Sequence, residues 1–178
     1  MSNKPATEQL VHKVRLLLII FITGLVLSGL TAFPIQAELE PAHSYIQKHS
    51  IQNDLTRWLD IVYTGIQDTY FNYPFIGYGT DWLAFAHLVL AVAFVGPLRD
   101  PIKNIWVVQF GLMACIAVFP LALIAGEARG IPMWWRLIDC SFGLFGGIVL
   151  WRCHKKIILL SRQKEIIPIT RGMDQSKI

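Results

Sequence analysis

Apolar residues gather into four long runs along this chain, and most charged residues collect between them. The first run, LLLIIFITGLVLSGLTAF over 16–33, is closed by Pro34. The second lies within DWLAFAHLVLAVAFVGP and covers about 82–98; the third, IWVVQFGLMACIAVFPLALIAG, covers 105–126, and the fourth about 133–153. A helix rises about 1.5 Å per residue, so about 20 residues cross a hydrocarbon core of about 30 Å. These runs predict an all-α polytopic membrane protein, a four-helix transmembrane bundle that forms a single membrane domain over 1–178. The second run is the shortest and crosses only if Asp81 and the residues after Gly96 lie at headgroup depth.

The outer segment, 34–80, is too long for a simple connection. Within it, SIQNDLTRWLDIVYTGIQDTYF repeats at helical spacing: Leu55, Trp58, Leu59, Val62 and Ile66 share one side, and Asp54, Arg57, Asp60, Thr64 and Asp68 the other. An amphipathic outer helix lying in the interface fits, either as an anchor or as a lid over a binding site. Tyr70, Phe71, Tyr73, Phe75, Tyr78 and Trp82 surround Pro74 as an aromatic belt at headgroup level. In GPLRDPIKN, Asp100 and Pro101 make a helix start, Asp as N-cap and Pro in the first turn.

Helical spacing also assigns the polar groups inside the spans to faces. In the fourth span Arg136, Cys140, Gly143 and Gly147 form one stripe with Asp139 and Gly146 at its edge, while Ile138, Phe145 and Val149 lie opposite. The charges thus share the face that suits close helix contact. An ionised side chain at bilayer depth costs about 3 kcal/mol, so Arg136 and Asp139, three residues apart, are expected to pair along the helix. In the second span Ala84, His87 and Ala91 share a small-residue face. His87 lies about 9 Å below Asp81 and about 120° around from it, so it should meet a neighbouring helix rather than Asp81. Pro120 breaks the third span near the same level.

The candidate polar site is therefore His87, Arg136 and Asp139, with Asp81, Glu127 and Arg129 at its entrance. It reads either as a network fixing which helices meet, or as an outward-facing site for a proton, a small ligand or a lipid headgroup. No nucleophile–base arrangement follows from the spacing, and no catalytic residue or cofactor is assigned.

Composition sharpens this picture. Charged residues make up 16% of the 178, against about 25% in soluble domains. The net charge of +4 comes from residues flanking apolar runs, with no aromatic-interleaved patch, so no nucleic-acid partner is expected. With the N-terminus inside, the inner segments hold 12 of the 16 Lys and Arg; Lys48, Arg57, Arg129 and Arg136 are outside. That bias puts both termini in the cytoplasm. Arg152, Lys155 and Lys156 could attract anionic lipid, but the orientation rule requires them in any case and is the preferred reading. An alternative for the first run is a signal peptide cut between Ala37 and Glu38, although Ile35 stands where a small residue belongs. Cys115, Cys140 and Cys153 fall in or beside apolar runs and read as packing residues, not a disulfide or metal set. His87 is the one histidine well inside a span, which argues against bis-histidine haem.

The segments YPFIGYGTDWLAFAHL, GPLRDPIKNIW and RGIPMWWRLIDCSFG resemble parts of small bacterial four-span inner-membrane proteins with no assigned activity. The resemblance covers about residues 74–153 and implies an inner-membrane setting, with no catalytic residue carried over. The expected function is a non-catalytic component binding partner helices or lipid, with other membrane proteins or a homo-oligomer as partners. The alternative is a small membrane enzyme or carrier using the polar site.

Overall fold

The computed structural model describes residues 4–175, with side-chain surroundings for 7–163. All regular structure among the described residues is helical. In chain order, α1 is Lys4–Ala32, α2 Ile35–Lys48, α3 Asp54–Asn72, α4 Pro74–Ala93, α5 Val95–Arg99 and α6 Ile105–Pro120. A π-helical turn, Leu121–Ala125, and α7, Gly126–Ala128, extend α6; α8 is Met133–Gln175. Among the described residues, four stretches are long and apolar enough to cross a membrane: Thr7–Ala32, Pro74–Arg99, Ile105–Ala128 and Met133–Gln163. Their outward side chains suit lipid rather than water: Ile116, Ile124, Phe142 and Phe145 are 67–71% exposed.

The helices run past the apolar runs that announce them. α1 is helical from Lys4, well before Leu16, and stops where Pro34 cannot continue it. α4 starts at Pro74 rather than near Trp82, because a proline's fixed φ and missing N–H suit a first helical position. The aromatic belt after Pro74 is therefore helical, and Asp81 lies about 10 Å along α4 instead of at its rim. Residues from 154 onward continue α8 without a break to Gln175. At the 96–104 turn, the Asp100 carboxylate does accept the Lys103 N–H (3.1 Å). The next helix nevertheless begins only at Ile105, after Asn104 has tied its side chain to the Gly96 and Asp100 carbonyls.

Backbone contacts divide the chain into two compact units, 1–23 with 92–178, and 24–91. In the first, α6 and α8 pack antiparallel with little between their backbones. A Cβ at Gly143 would lie 2.7 Å from the Cys115 carbonyl oxygen, and one at Gly111 would lie 2.6 Å from Phe94 and 2.7 Å from Leu150. The stripe of Arg136, Cys140 and Gly143 is buried, while Ile138 and Phe145 face outward. α1 lies antiparallel to α8: Val14 and Leu18 are fully buried with Leu150, Cys153 and Ile157, and Phe21 touches the surface of Gly146.

In the 24–91 unit, Gly29 of α1 sits against the Ala84 carbonyl and Leu88 of α4, which uses the small-residue face of the second span. α2 and α3 form a helical hairpin whose α3 end is held by a capping box. Asn53 Oδ1 accepts the Thr56 N–H (2.8 Å), and Thr56 Oγ1 accepts the Asn53 N–H (2.9 Å). Half-buried Trp58, Leu59, Val62 and Ile66 keep to one side of α3 as the spacing requires. α3 meets α2 through Asp60, Tyr63 and Gln67.

Gly143→Leu should weaken the α6–α8 pair by about 1–3 kcal/mol, since the carbonyl it would strike cannot rotate away. Gly24→Leu, with nothing within 4 Å of its Cβ position, should stay within about 1 kcal/mol. Equilibrium unfolding in mixed micelles reads both, and equal effects would contradict the packing described.

Candidate functional sites

The α6–α8 turn is built by a proline and two glycines. Pro120 has no N–H to donate, and the helix beyond it widens into the π-helical turn. The helix then ends on Gly130, whose φ of +68° suits a residue without Cβ. The Ile131 N–H donates to the Gly126 carbonyl (2.9 Å) and the Gly130 N–H to that of Glu127 (3.0 Å), which is a Schellman closure. The Pro132 carbonyl accepts the Trp135 and Arg136 N–H groups and starts α8.

This turn places Arg136 under the end of the third span. Its stem crosses Gly126, where a Cβ would lie 2.5 Å from Arg136 Cδ. Its Nη1 donates to the Leu123 carbonyl (3.2 Å) and forms an ion pair with Glu127 (2.5 Å). Arg136 is 7% exposed, whereas the Glu127 side chain is 71% exposed, so the pair joins a desolvated cation to a wet anion. Arg136 Nε is buried without a hydrogen-bond partner. Asp139 is not the partner that its spacing suggests: it is half-buried, and no ion pair or hydrogen bond to it is found among the described residues. The Arg136 stem follows the groove over Gly126 towards α7, while Asp139 lies a turn further along α8.

The other expected site residues form no ion pair with the clamp among the described residues. Arg129 is exposed beside the turn and forms no ion pair among the described residues. Asp81 and His87 belong to the 24–91 unit. Asp81 borders a shallow hollow with Phe33, Tyr78, Trp82 and Phe85. His87 is half-buried, and its Nδ1 donates to the Leu83 carbonyl of its own helix (2.8 Å), which leaves Nε2 as the acceptor in the neutral ring. Among the described residues, no three His, Cys, Asp or Glu side chains gather closely enough to hold a metal ion.

Two clusters appear that spacing alone had not assembled. The first is a cleft of about 460 Å³ lined by Lys13, Leu16 and Leu17 of α1 and Arg152, Lys155 and Lys156 of α8. Its four cations flank two of the apolar runs. Only the α1–α8 pairing brings them together.

The second cluster ties α2 to α3. Gln36 Nε2 donates to Gln67 (2.8 Å), Gln67 Nε2 to the Tyr63 hydroxyl (3.0 Å), and Tyr63 in turn to Glu40. His43 Nε2 meets Asp60 at 2.8 Å, and the His43 ring stacks on Tyr63 with centroids 4.0 Å apart. Gln36, Glu40, His43 and Gln47 recur at helical steps, a polar stripe that a search for apolar periodicity passes over. The hydrogen bond that the Tyr63 hydroxyl donates to Glu40 holds its proton and pushes that phenol above its ordinary value.

No family model matches the chain, and no match was found among curated proteins or solved structures.

Removing the wet partner of the clamp should cost more than removing the buried one, because Glu127→Ala strands a desolvated cation. Glu127→Ala should lower stability by about 1–3 kcal/mol. Arg136→Met, which leaves Glu127 in water, should cost about 1 kcal/mol, and Asp139→Asn less than about 0.5 kcal/mol. Chemical unfolding in micelles gives the order, and an Asp139 effect as large as that of Glu127 would refute the pairing.

The α2–α3 hairpin should also respond to alkali. A phenol whose folded value is raised favours folding below the unfolded value, near pH 10 for tyrosine, and that contribution is lost as pH rises through the folded value. Thermal unfolding followed by circular dichroism should therefore show wild type losing stability above about pH 10 more steeply than Tyr63→Phe.

Proposed function

We propose that this chain is a non-catalytic component of a bacterial inner membrane, inserted with both termini in the cytoplasm, that acts through contacts with lipid and partner helices. One observation carries the reading. Arg136, the most deeply placed charge of the expected polar site, is committed to holding a turn through Glu127 and the Leu123 carbonyl. A guanidinium already bonded on Nη1, with its stem under Gly126, serves helix pairing rather than turnover.

The orientation has two supports. Lysine and arginine are retained on the cytoplasmic side of a membrane, and their distribution here is strongly one-sided. The Thr7 hydroxyl also donates to the Gln163 side chain, so the terminal ends of the first and fourth spans meet, as an even number of crossings with both termini on one side requires.

A membrane-impermeant maleimide applied to intact cells should label Ser44→Cys but not Lys103→Cys, with wild type, whose three cysteines lie in spans, as the blank. In a host whose loss of this gene gives a phenotype, folded Arg136→Met and Asp139→Asn proteins should both complement. Failure of a folded variant to complement would favour an outward-facing polar site.

A further inference from the structure

The cleft between α1 and α8 combines features that no turn or capping role requires. Its walls carry Lys13 from one helix and Arg152, Lys155 and Lys156 from the other. Among the described residues, none of these four cations has a carboxylate within ion-pair distance. Lys155 Nζ instead lies 3.8 Å from the centroid of the Trp151 ring, a substitute contact available to a cation without an anion. Like charges drawn together on two packed helices repel, and the helices cannot separate freely. Val14 and Leu18 on α1 and Leu150, Cys153 and Ile157 on α8 are fully buried near the cleft, and the Cys153 thiol rests on the Val14 carbonyl. The seam holds the cations in place, and an anion would relieve them.

The floor decides which anion. Leu16 and Leu17 line the same cleft and open the first apolar run, so the cleft passes from a basic mouth directly into membrane-facing surface. A free phosphate would gain nothing from the leucines. A polynucleotide would need stacking faces at bilayer depth, where hydrocarbon lies. A phospholipid matches both parts, its phosphate at the mouth and an acyl chain on the leucines. Cations on both walls outnumber the charge of one phosphodiester, so a headgroup with two phosphates satisfies the cleft better than one.

We infer that the α1–α8 cleft is a binding site for anionic phospholipid, with a two-phosphate lipid of the cardiolipin class preferred over a single-phosphate one. The inference rests on the membrane-inserted reading above, and the site would lie on the side of the membrane that holds both termini.

The test uses the full chain, purified in mild detergent and titrated by native mass spectrometry with phosphatidylcholine, phosphatidylglycerol and cardiolipin. Wild type should retain cardiolipin most strongly, phosphatidylglycerol less and phosphatidylcholine least. The double variant K13Q/K156Q should bind cardiolipin about tenfold more weakly or worse. R99Q/K103Q, which removes the same charge from the same side but outside the cleft, should change it less than about twofold. Circular dichroism checks that both variants keep their helices. Equal losses in the two variants would reduce the effect to general surface charge and overturn the site. Competition by millimolar inorganic phosphate would reassign it to a soluble anion. Equal retention of cardiolipin and phosphatidylglycerol would overturn the two-phosphate preference. The labelling of Ser44→Cys reads orientation independently, so correct labelling without lipid selectivity would reject the cleft and leave the orientation standing.

Discussion

Close approach of α8 to α6 is the constraint on which the larger unit depends. At Gly143 the α8 backbone comes so near the Cys115 carbonyl that no side chain could stand between them, and at Gly111 the side chains of Phe94 and Leu150 fill the space a Cβ would take. Hydrocarbon offers no hydrophobic drive for helix pairing, so contact area and fit must supply it. Glycine supplies both by letting two backbones touch. Phe94 then reaches Phe21 of α1 (centroids 4.7 Å), so three helices converge on one aromatic side chain that is almost fully buried.

The Arg136 clamp is a consequence of this approach rather than an independent device. Two helices so near each other need a tight turn, and the π-helical turn with the Gly130 closure makes one. Gly126 faces α8 there, and the space left by its missing Cβ is filled by the Arg136 stem. The guanidinium is then desolvated by the same packing that positions it. It is compensated from two sources, a backbone carbonyl and a carboxylate that remains in water. The exposed carboxylate spares the pair a second desolvation cost, which is large for a fully buried ion pair.

The cleft and the hairpin show the same logic at two different places in the chain. Between α1 and α8 the seam is apolar and the cations are pushed to its margin, where they face open space. Between α2 and α3 a chain of polar contacts joins the helices: Gln36, Glu40 and His43 meet Gln67, Tyr63 and Asp60. Such a hairpin does not need an apolar interface to define its register, because each donor has a specific acceptor.

The all-helical class, the four apolar crossings and the inward face of α8 were legible in the residues alone. Each follows from local repetition: run length sets a crossing, and a 100° step per residue sorts Gly143 and Phe145 to opposite faces. Helix ends were less legible. Apolar content marks what lipid will tolerate, whereas helix continues through polar residues such as those before Leu16 and after Cys153 for as long as backbone hydrogen bonds can form. The partners were decided by tertiary structure. Arg136 had a carboxylate three residues away in Asp139, yet took Glu127 across the turn, because the groove over Gly126 directs a long side chain in a way that sequence distance does not encode. Lys13 and Lys156 are far apart in the chain and lie on one cleft only because α1 packs antiparallel on α8. Periodicity determines what a helix shows to its surroundings; which surroundings it meets depends on how the whole chain packs.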